Sequence, residues 1–554
     1  MPGFAERESA LRRLGMFWAV LACCLFLPVL DFSFFADDEI YLAFSNRQLR
    51  ELQPSALYQL LLRPANPWEF LPVRDFSYWL DLYLFGDDGF ALHATNFLLY
   101  LLAALSANWF IREMLLRRNS LNGDGGRVAC ATAALWGMVF FLLHPAHVEA
   151  VAWISGRKDI LAGLFSLAML ASLLRWLRLC AAGADGHAGN TANRFAFGGL
   201  PACLFFTLAC FSKSTAVAMV LPATAILCNG LLAPRLQGLR RQVFAEILAI
   251  WAIAVAALFI HLHFGVELGI RIDNAPGLAV SVARASRILA SLLRLLFIPA
   301  DLGLLHDVYQ LGEWHWYVSA AALLLALAAF ATAIRNASSV WSIAVLLVVA
   351  PLLPYLQLAP FSTWSMASER FVFVPVAGIA LLLATGFRIG SRPQSLAGLA
   401  SVLFAAFAVV TWVRLGDWRS PQSLFEHEYR RQPANYIAVR DYVLFNLLPA
   451  DPVRAHEVID GVSRADAREI LSLLAKVTLE KHRAERSGEP PEATSSYCRT
   501  VGRLLVLQEA GRRRLRTEPD LPFSNLLRSV DRHLYYALGN PQRRCKLTPG
   551  IDQQ

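Results

Sequence analysis

The stretch His144–Asp159, HPAHVEAVAWISGRKD, sets two histidines, a glutamate, an arginine, a lysine and an aspartate between two long apolar runs. A charged side chain at the centre of a bilayer costs about 2.5–3.5 kcal/mol on insertion scales. The stretch therefore belongs at a membrane face or in a polar cavity. The runs beside it, Val128–Leu143 and Ile160–Leu177, read as spans. Pro145 ends the first run at the residue before it. Asp159 opens the second, where the helix dipole favours a carboxylate.

The composition points the same way. The chain has 554 residues, 56% of them hydrophobic and only 17% charged, with a mean hydropathy of +0.44. That is the profile of a polytopic membrane protein. The formal net charge is +9, but the basic residues form short clusters beside apolar runs. This is the pattern of topology signals, and no nucleic-acid partner is expected. The nine cysteines contain no CxxC pair. Six of them (Cys23, Cys24, Cys130, Cys203, Cys210 and Cys228) sit in apolar runs, where cysteine packs as a small hydrophobe, so no metal–cysteine site is expected.

At about 20 apolar residues per crossing, the chain divides into eleven expected spans. They are Leu14–Leu30, Phe90–Ile111, Val128–Leu143, Ile160–Leu177, Phe195–Phe211, Ala216–Leu232, Val243–Phe264, Trp316–Ile334, Val340–Leu356, Phe371–Phe387 and Leu396–Val413. The first is followed by acidic residues instead of a small-residue cleavage site, so it reads as a retained span and not a signal peptide. Ser281–Ile298 carries Arg284, Arg287 and Arg294 among leucines and isoleucines, which suits an amphipathic helix lying in the interface. With the N-terminus in the cytoplasm, clusters such as Arg12-Arg13, Arg112, Arg117, Arg127, Arg178, Arg240-Arg241 and Arg388 all fall inside, as the positive-inside rule requires. The outer side then holds Asp31–Gly89, His144–Asp159, Ser212–Thr215, Gly265–His315, Gln357–Arg370 and everything after Arg414.

Charged residues on that outer side are the candidates for chemistry. Asp37-Asp38-Glu39 follows the first span. Three adjacent carboxylates repel one another and need a cation, a metal or water. They form either a solvated loop or a general base that takes a proton from an attacking hydroxyl. His144, His147 and Glu149 fit no standard zinc motif. Hydrogen bonding to a sugar or phosphate, or support of neighbouring groups, suits them better, and no metal site is assigned. Arg157 and Lys158 offer two cations to a phosphate. Lys213, in FSKST between two apolar runs, either snorkels or holds a phosphate. Glu369-Arg370 is either a plain ion pair or a phosphate fork. Arg294 faces outward toward a lipid phosphate; His306 and Asp307 are weaker candidates. Arg74 and Asp75 are expected to pair with each other.

Taken in order, Asp37-Asp38, HPAHVEAVAWISGRKD, the Ser212-Lys213 loop and Glu369-Arg370 before a VPV segment resemble the transmembrane and tetratricopeptide-repeat O-mannosyltransferases and their bacterial relatives. These belong to the wider glycosyltransferase class C superfamily. The resemblance covers roughly residues 30–430. It implies an all-α polytopic fold of about eleven spans and an outward-facing site. It also implies a polyprenyl-phosphate sugar donor, inversion at the anomeric carbon, and a base from the first acidic motif, Asp37 or Asp38. Glu39, His144, His147, Glu149, Arg157, Lys158, Lys213, Arg294, Glu369 and Arg370 would then line the substrate site. No cofactor is assigned, with a divalent cation left open. Arginine outnumbers lysine, which suits a GC-rich bacterial genome and placement in a bacterial inner membrane.

Residues 1–414 form the expected membrane domain and 415–554 a soluble, outward-facing helical domain. Trp418–Leu447 reads as one helical hairpin turning at Pro433-Ala434-Asn435, similar to a tetratricopeptide unit, after which the 34-residue period fades. Arg486–Ser496 reads as a flexible loop. Cys498 and Cys545 would share the outer compartment, where oxidising conditions favour a disulfide. The acceptor is a protein hydroxyl or, alternatively, a glycolipid or polysaccharide. A non-catalytic lipid-linked-sugar transporter is the reading from another class, although no inverted repeat is visible.

Overall fold

The structure, a computed structural model, describes residues 4–34, 58, 60–64, 69–118, 124–184, 199–267, 277–306, 308, 313–335, 339–358, 365–389, 392–487, 495–514, 526–527, 530 and 545. Among the described residues every regular element is helical. The chain forms two compact units, Met1–Trp418 and Arg419–Gln554.

The first unit is built from α1 (Phe4–Leu25), α2 (Pro72–Phe85), α3 (Gly89–Arg118), α4 (Asp124–Leu143), α5 (Arg157–Ala184), α6 (Leu200–Ser212) and α7 (Val220–Leu232). It continues with α8 (Arg240–Glu267), α9 (Leu278–Phe297), α10 (Trp314–Arg335), α11 (Val340–Val349), α12 (Pro375–Ile389) and α13 (Pro393–Asp417). Among the described residues, eight stretches are long and apolar enough to cross a bilayer, which fits a multi-pass membrane protein. The other three apolar runs are shorter helices, Leu200–Ser212, Val340–Leu356 and Pro375–Ile389. Proline sets each limit. Pro201 and Pro375 stand at or next to a helix start, and Pro351 and Pro354 turn the end of the run after α11 into a 3-10 helix. A ring nitrogen without a proton cannot continue the α-helical ladder.

Helix α4 packs against α1, α3 and α12. Its Trp136 indole donates to the Leu11 carbonyl at 3.2 Å and stacks on Phe387, with ring centroids 4.5 Å apart. Outward faces stay apolar: Phe17, Leu105, Leu248, Phe259, Leu327 and Val409 are all exposed. Such a surface would be a liability in water and is ordinary against lipid. The amphipathic helix α9 is not among the long apolar ones. It buries Ile288, Leu292 and Leu296, leaves Arg294 exposed, and turns Arg284 inward, where its guanidinium donates to the Gln357 carbonyl at 2.8 Å.

In the second unit, α14 (Pro421–Arg431) and α15 (Tyr436–Tyr442) form a hairpin. Ser420 and Ser423 cap its first helix reciprocally; this satisfies backbone N–H groups that the helix start leaves orphaned. Phe425 stacks on Phe445 at 4.8 Å and Tyr429 on Tyr442 at 4.4 Å. Three further helices follow, α16 (Pro452–Asp460), α17 (Ala465–Ser487) and α18 (Ser495–Arg514). Ile459, Ile470, Leu474, Val501 and Leu504 share one core with the end of the hairpin. Cys498 is disulfide-bonded to Cys545 across a sequence separation of 47. Most of the loop expected at Arg486–Ser496 lies outside the described residues.

Candidate active site

The sequence HPAHVEAVAWISG folds as three short turns between α4 and α5: Pro145–His147, Val148–Ala152 and Ile154–Gly156. Every residue from Leu143 to Arg157 is buried. Backbone polar groups hidden this way need partners, and the two histidines supply them. His144 Nδ1 accepts from the Ala146 N–H at 3.4 Å, and its Nε2 lies 3.0 Å from the Leu296 carbonyl. His147 contacts the Tyr100 hydroxyl at 3.1 Å and the Phe373 carbonyl at 3.3 Å. The rings thus fasten the turn to α3, α9 and the segment before α12. A direct contact to substrate or metal through them would first require these bonds to break.

Burial pulls the His144 imidazole down to about 4, against the upward pull of the Leu296 carbonyl. His147 is held well below the ordinary histidine value by its burial, with His144 adding to the effect. The unfolded chain binds a proton near pH 6.5 that folded His144 refuses until about pH 4, so stability falls as pH drops through that window. Melting temperatures of the detergent-solubilised protein between those limits are expected to fall more steeply for wild type than for His144→Gln. Parallel slopes would refute the assignment.

Gly156 lets the turns close. A Cβ there would overlap the Ala150 carbonyl oxygen and come 2.8 Å from the Ala150 α-carbon. Both neighbours are backbone, so they yield only by opening the turn. Gly156→Ala is expected to cost about 1–3 kcal/mol, the usual range for overpacking, read as a lowered thermal midpoint.

The candidate cations described at this end of the bundle are paired. Arg157 is fully buried and forms an ion pair with Asp81 at 2.6 Å. Its remaining N–H groups reach Asn96 Oδ1 at 2.6 Å, the Leu92 carbonyl at 3.0 Å and the Ser77 carbonyl at 3.2 Å. The guanidinium also lies over the Tyr78 ring at 4.6 Å. The expected phosphate ligand is therefore engaged as a strut joining the turn to α2 and α3. Lys158 instead reaches Glu69 at 2.8 Å, and Glu69 also takes Arg74 at 2.8 Å. Burial would raise the Glu69 carboxyl, but Lys158 and Arg74 together hold it well below the usual range. Arg74 bonds Asp75 at 2.7 Å, so the expected neighbour pair forms as one part of a larger network.

Lys213, at the end of α6, pairs with Asp159 and lies 5.2 Å from the Phe371 ring. Arg370 pairs with Glu149 and lies 5.0 Å from the same ring and 5.0 Å from Trp153. Its backbone N–H also donates to Glu149 at 3.0 Å. Phe371 thus lies within 5.2 Å of two paired cations, contacts that its π system favours. Glu369 and Arg370 do not pair with each other: Glu369 goes to Arg414 at 3.0 Å. Arg294 is 45% exposed and reaches Asp301 at 3.4 Å. Asp37, Asp38, Glu39 and Asp307 lie outside the described residues.

Sequence reasoning did not single out Asp81, Asn96 or Arg414. Asp81 left a signal, since it is a lone charged residue in largely apolar surroundings, where an unpaired polar group is costly. Arg414, inside the last apolar helix, left the same signal.

No family model matches the chain, and no solved structure matches it. Curated proteins do. A protein O-mannosyl-transferase of Caenorhabditis elegans is 23% identical over 375 residues, which cover 66% of this chain and 49% of that protein. The protein O-mannosyl-transferase TMTC1 of Mus musculus is 33% identical over 108 residues, 20% of this chain and 10% of its own length. The chain is similar to protein O-mannosyl-transferases. The human TMTC1 agrees, 34% identical over 102 residues that cover 18% of this chain and 10% of its own length. The matches span about half of the nematode protein and about a tenth of the other two.

Proposed function

We propose that this protein is a membrane glycosyltransferase that moves a sugar, with mannose the first to test, from a polyprenyl-phosphate carrier to an acceptor hydroxyl, probing protein serine and threonine first. The observation that carries the proposal is the similarity to proteins named O-mannosyl-transferases. The polar layer around Phe371 supports it, because it sets two cations, Lys213 and Arg370, side by side at one end of an otherwise apolar bundle.

In this reading Asp37 or Asp38 takes the acceptor's hydroxyl proton. The oxygen attacks C1 of the sugar from the face opposite the carrier. The bond from C1 to the phosphate oxygen breaks, the phosphate leaves with the electron pair, and the configuration inverts. Lys213 and Arg370 stabilise the charge that builds on the phosphate, the kind of fixed electrostatics that contributes most in such sites. Arg370 suits this because Glu149 balances its charge while its buried Nε has no hydrogen-bond partner. Arg294, exposed on α9, suits the carrier phosphate where it meets the interface. Arg157 is left out of the phosphate site, since its donors are already engaged. The reaction would face the periplasm of a bacterial inner membrane, with the N-terminus in the cytoplasm.

The test uses the full chain in lipid vesicles with radiolabelled polyprenyl-phosphate sugars and two acceptor pools, envelope proteins and envelope glycolipid with polysaccharide. Label appearing on protein supports the proposal. Label appearing only in the glycan pool keeps the chemistry and changes the acceptor. Donor binding without transfer to either pool would sink the enzyme in favour of a transporter or scaffold.

A further inference from the structure

The opposite end of the bundle carries a second feature. Arg127 of α4 lies 17 residues before His144, which follows the end of that helix, about 25 Å away at 1.5 Å per residue. There Arg12 of α1, Arg112 of α3 and Arg127 of α4 line a groove of about 440 Å³ whose other walls are Met16, Val128, Ala131, Thr132 and Leu135. The three arginines come from three helices and are exposed. None makes an ion pair or hydrogen bond among the described residues, whereas Arg178 is bonded to Glu113 at 2.8 Å and Arg117 to Asn229 at 2.6 Å. Thr132 is buried, and its hydroxyl has no hydrogen-bond partner.

The order of these groups along the helices matters. On α1, Met16 lies one turn beyond Arg12. On α4, Ala131 and Leu135 follow Arg127 at four-residue steps, which places them on one face. Positive charge therefore rims the groove at the helix ends, and apolar side chains continue from it toward the bundle middle. An inorganic anion would use the rim alone. A phospholipid uses both parts, with its phosphate among the guanidinium groups and its glycerol and first methylenes along Met16, Val128 and Leu135. Its ester or headgroup oxygens are the chemistry that Thr132 lacks. Arginine clusters between transmembrane helices suit anionic headgroups in this way.

We infer that the groove between α1, α3 and α4 is a binding site for an anionic phospholipid, held through its phosphodiester by Arg12, Arg112 and Arg127. The inference is independent of the transfer reaction. The test is native mass spectrometry and thermal melting of the full chain with phosphatidylglycerol, phosphatidylcholine or inorganic phosphate. It compares wild type with the triple variant Arg12→Gln, Arg112→Gln, Arg127→Gln and with Arg240→Gln, Arg241→Gln, two exposed arginines outside the groove. Phosphatidylglycerol is expected to be retained about tenfold or more over phosphatidylcholine. That preference should vanish in the triple variant and persist in the control, with inorganic phosphate failing to displace the lipid. Single variants at each arginine should weaken retention part-way, which keeps the test valid if the triple variant folds poorly. Equal retention of both lipids, equal losses in triple and control variants, or displacement by phosphate alone would each overturn the inference.

Discussion

Asparagine at the proposed base position, Asp37 or Asp38, is expected to lower the proposed sugar transfer by about 10²–10⁴-fold, the usual contribution of a positioned general base, with thermal stability near that of wild type. The substitution removes the proton acceptor and keeps the side-chain shape. The ion pairs of the described carboxylates in the polar layer fit this expectation. Glu69, Asp75, Asp81, Glu149, Asp159 and Glu369 each already hold a cation. Both oxygens of Glu149 are taken, one by the Arg370 guanidinium and one by its backbone N–H. Glu149, so engaged, must surrender a partner before it can accept a proton from substrate. Initial rates from a labelled polyprenyl-phosphate sugar check the prediction for each variant. Rates surviving in both variants would move the base to Glu39 first.

Arg157→Met is expected to destabilise the membrane unit by about 3–5 kcal/mol, the range for removing one partner of a buried pair. Asp81 would be left as an uncompensated buried charge, and Asn96 with the Leu92 and Ser77 carbonyls would lose their donor. The double variant Asp81→Asn, Arg157→Met should recover much of the loss, since it removes both charges. Unfolding of the two variants in detergent or bicelles decides this. A phosphate-binding Arg157, as the sequence suggested, behaves differently: the protein melts normally and donor affinity falls. A wild-type melting temperature for Arg157→Met would therefore refute the strut assignment.

These two cases separate what can be read along the chain from what cannot. The residue types at the candidate site were legible because charge within apolar runs is rare and costly. Arg157, Lys213, Glu149 and Arg370 stand out for that reason alone. Which of them face a substrate was not legible, because that depends on which partner each one meets. Glu369-Arg370 looks like a pair when read as neighbours, yet the two side chains go to Arg414 and Glu149. His144 and His147 read equally as contacts to a sugar or phosphate and as support of neighbouring groups, and only the fold shows their rings bonding backbone carbonyls of other segments. Arg284, Arg287 and Arg294 look alike on one amphipathic stretch, yet Arg284 is buried and Arg294 is exposed.

The sequence alone determined the membrane class, the approximate positions of the long apolar helices and the points where proline and polar residues interrupt them. Lipid offers the backbone no hydrogen bonds, so each apolar run must satisfy its own, and that requirement is local. The tertiary structure alone decided the ion pairs. Arg370 meets Glu149 across a separation of 221 residues, Lys213 meets Asp159 across 54, and Arg414 meets Glu369 across 45. A buried charge is tolerated only beside an opposite one, and helix packing, not sequence distance, selects which one that is.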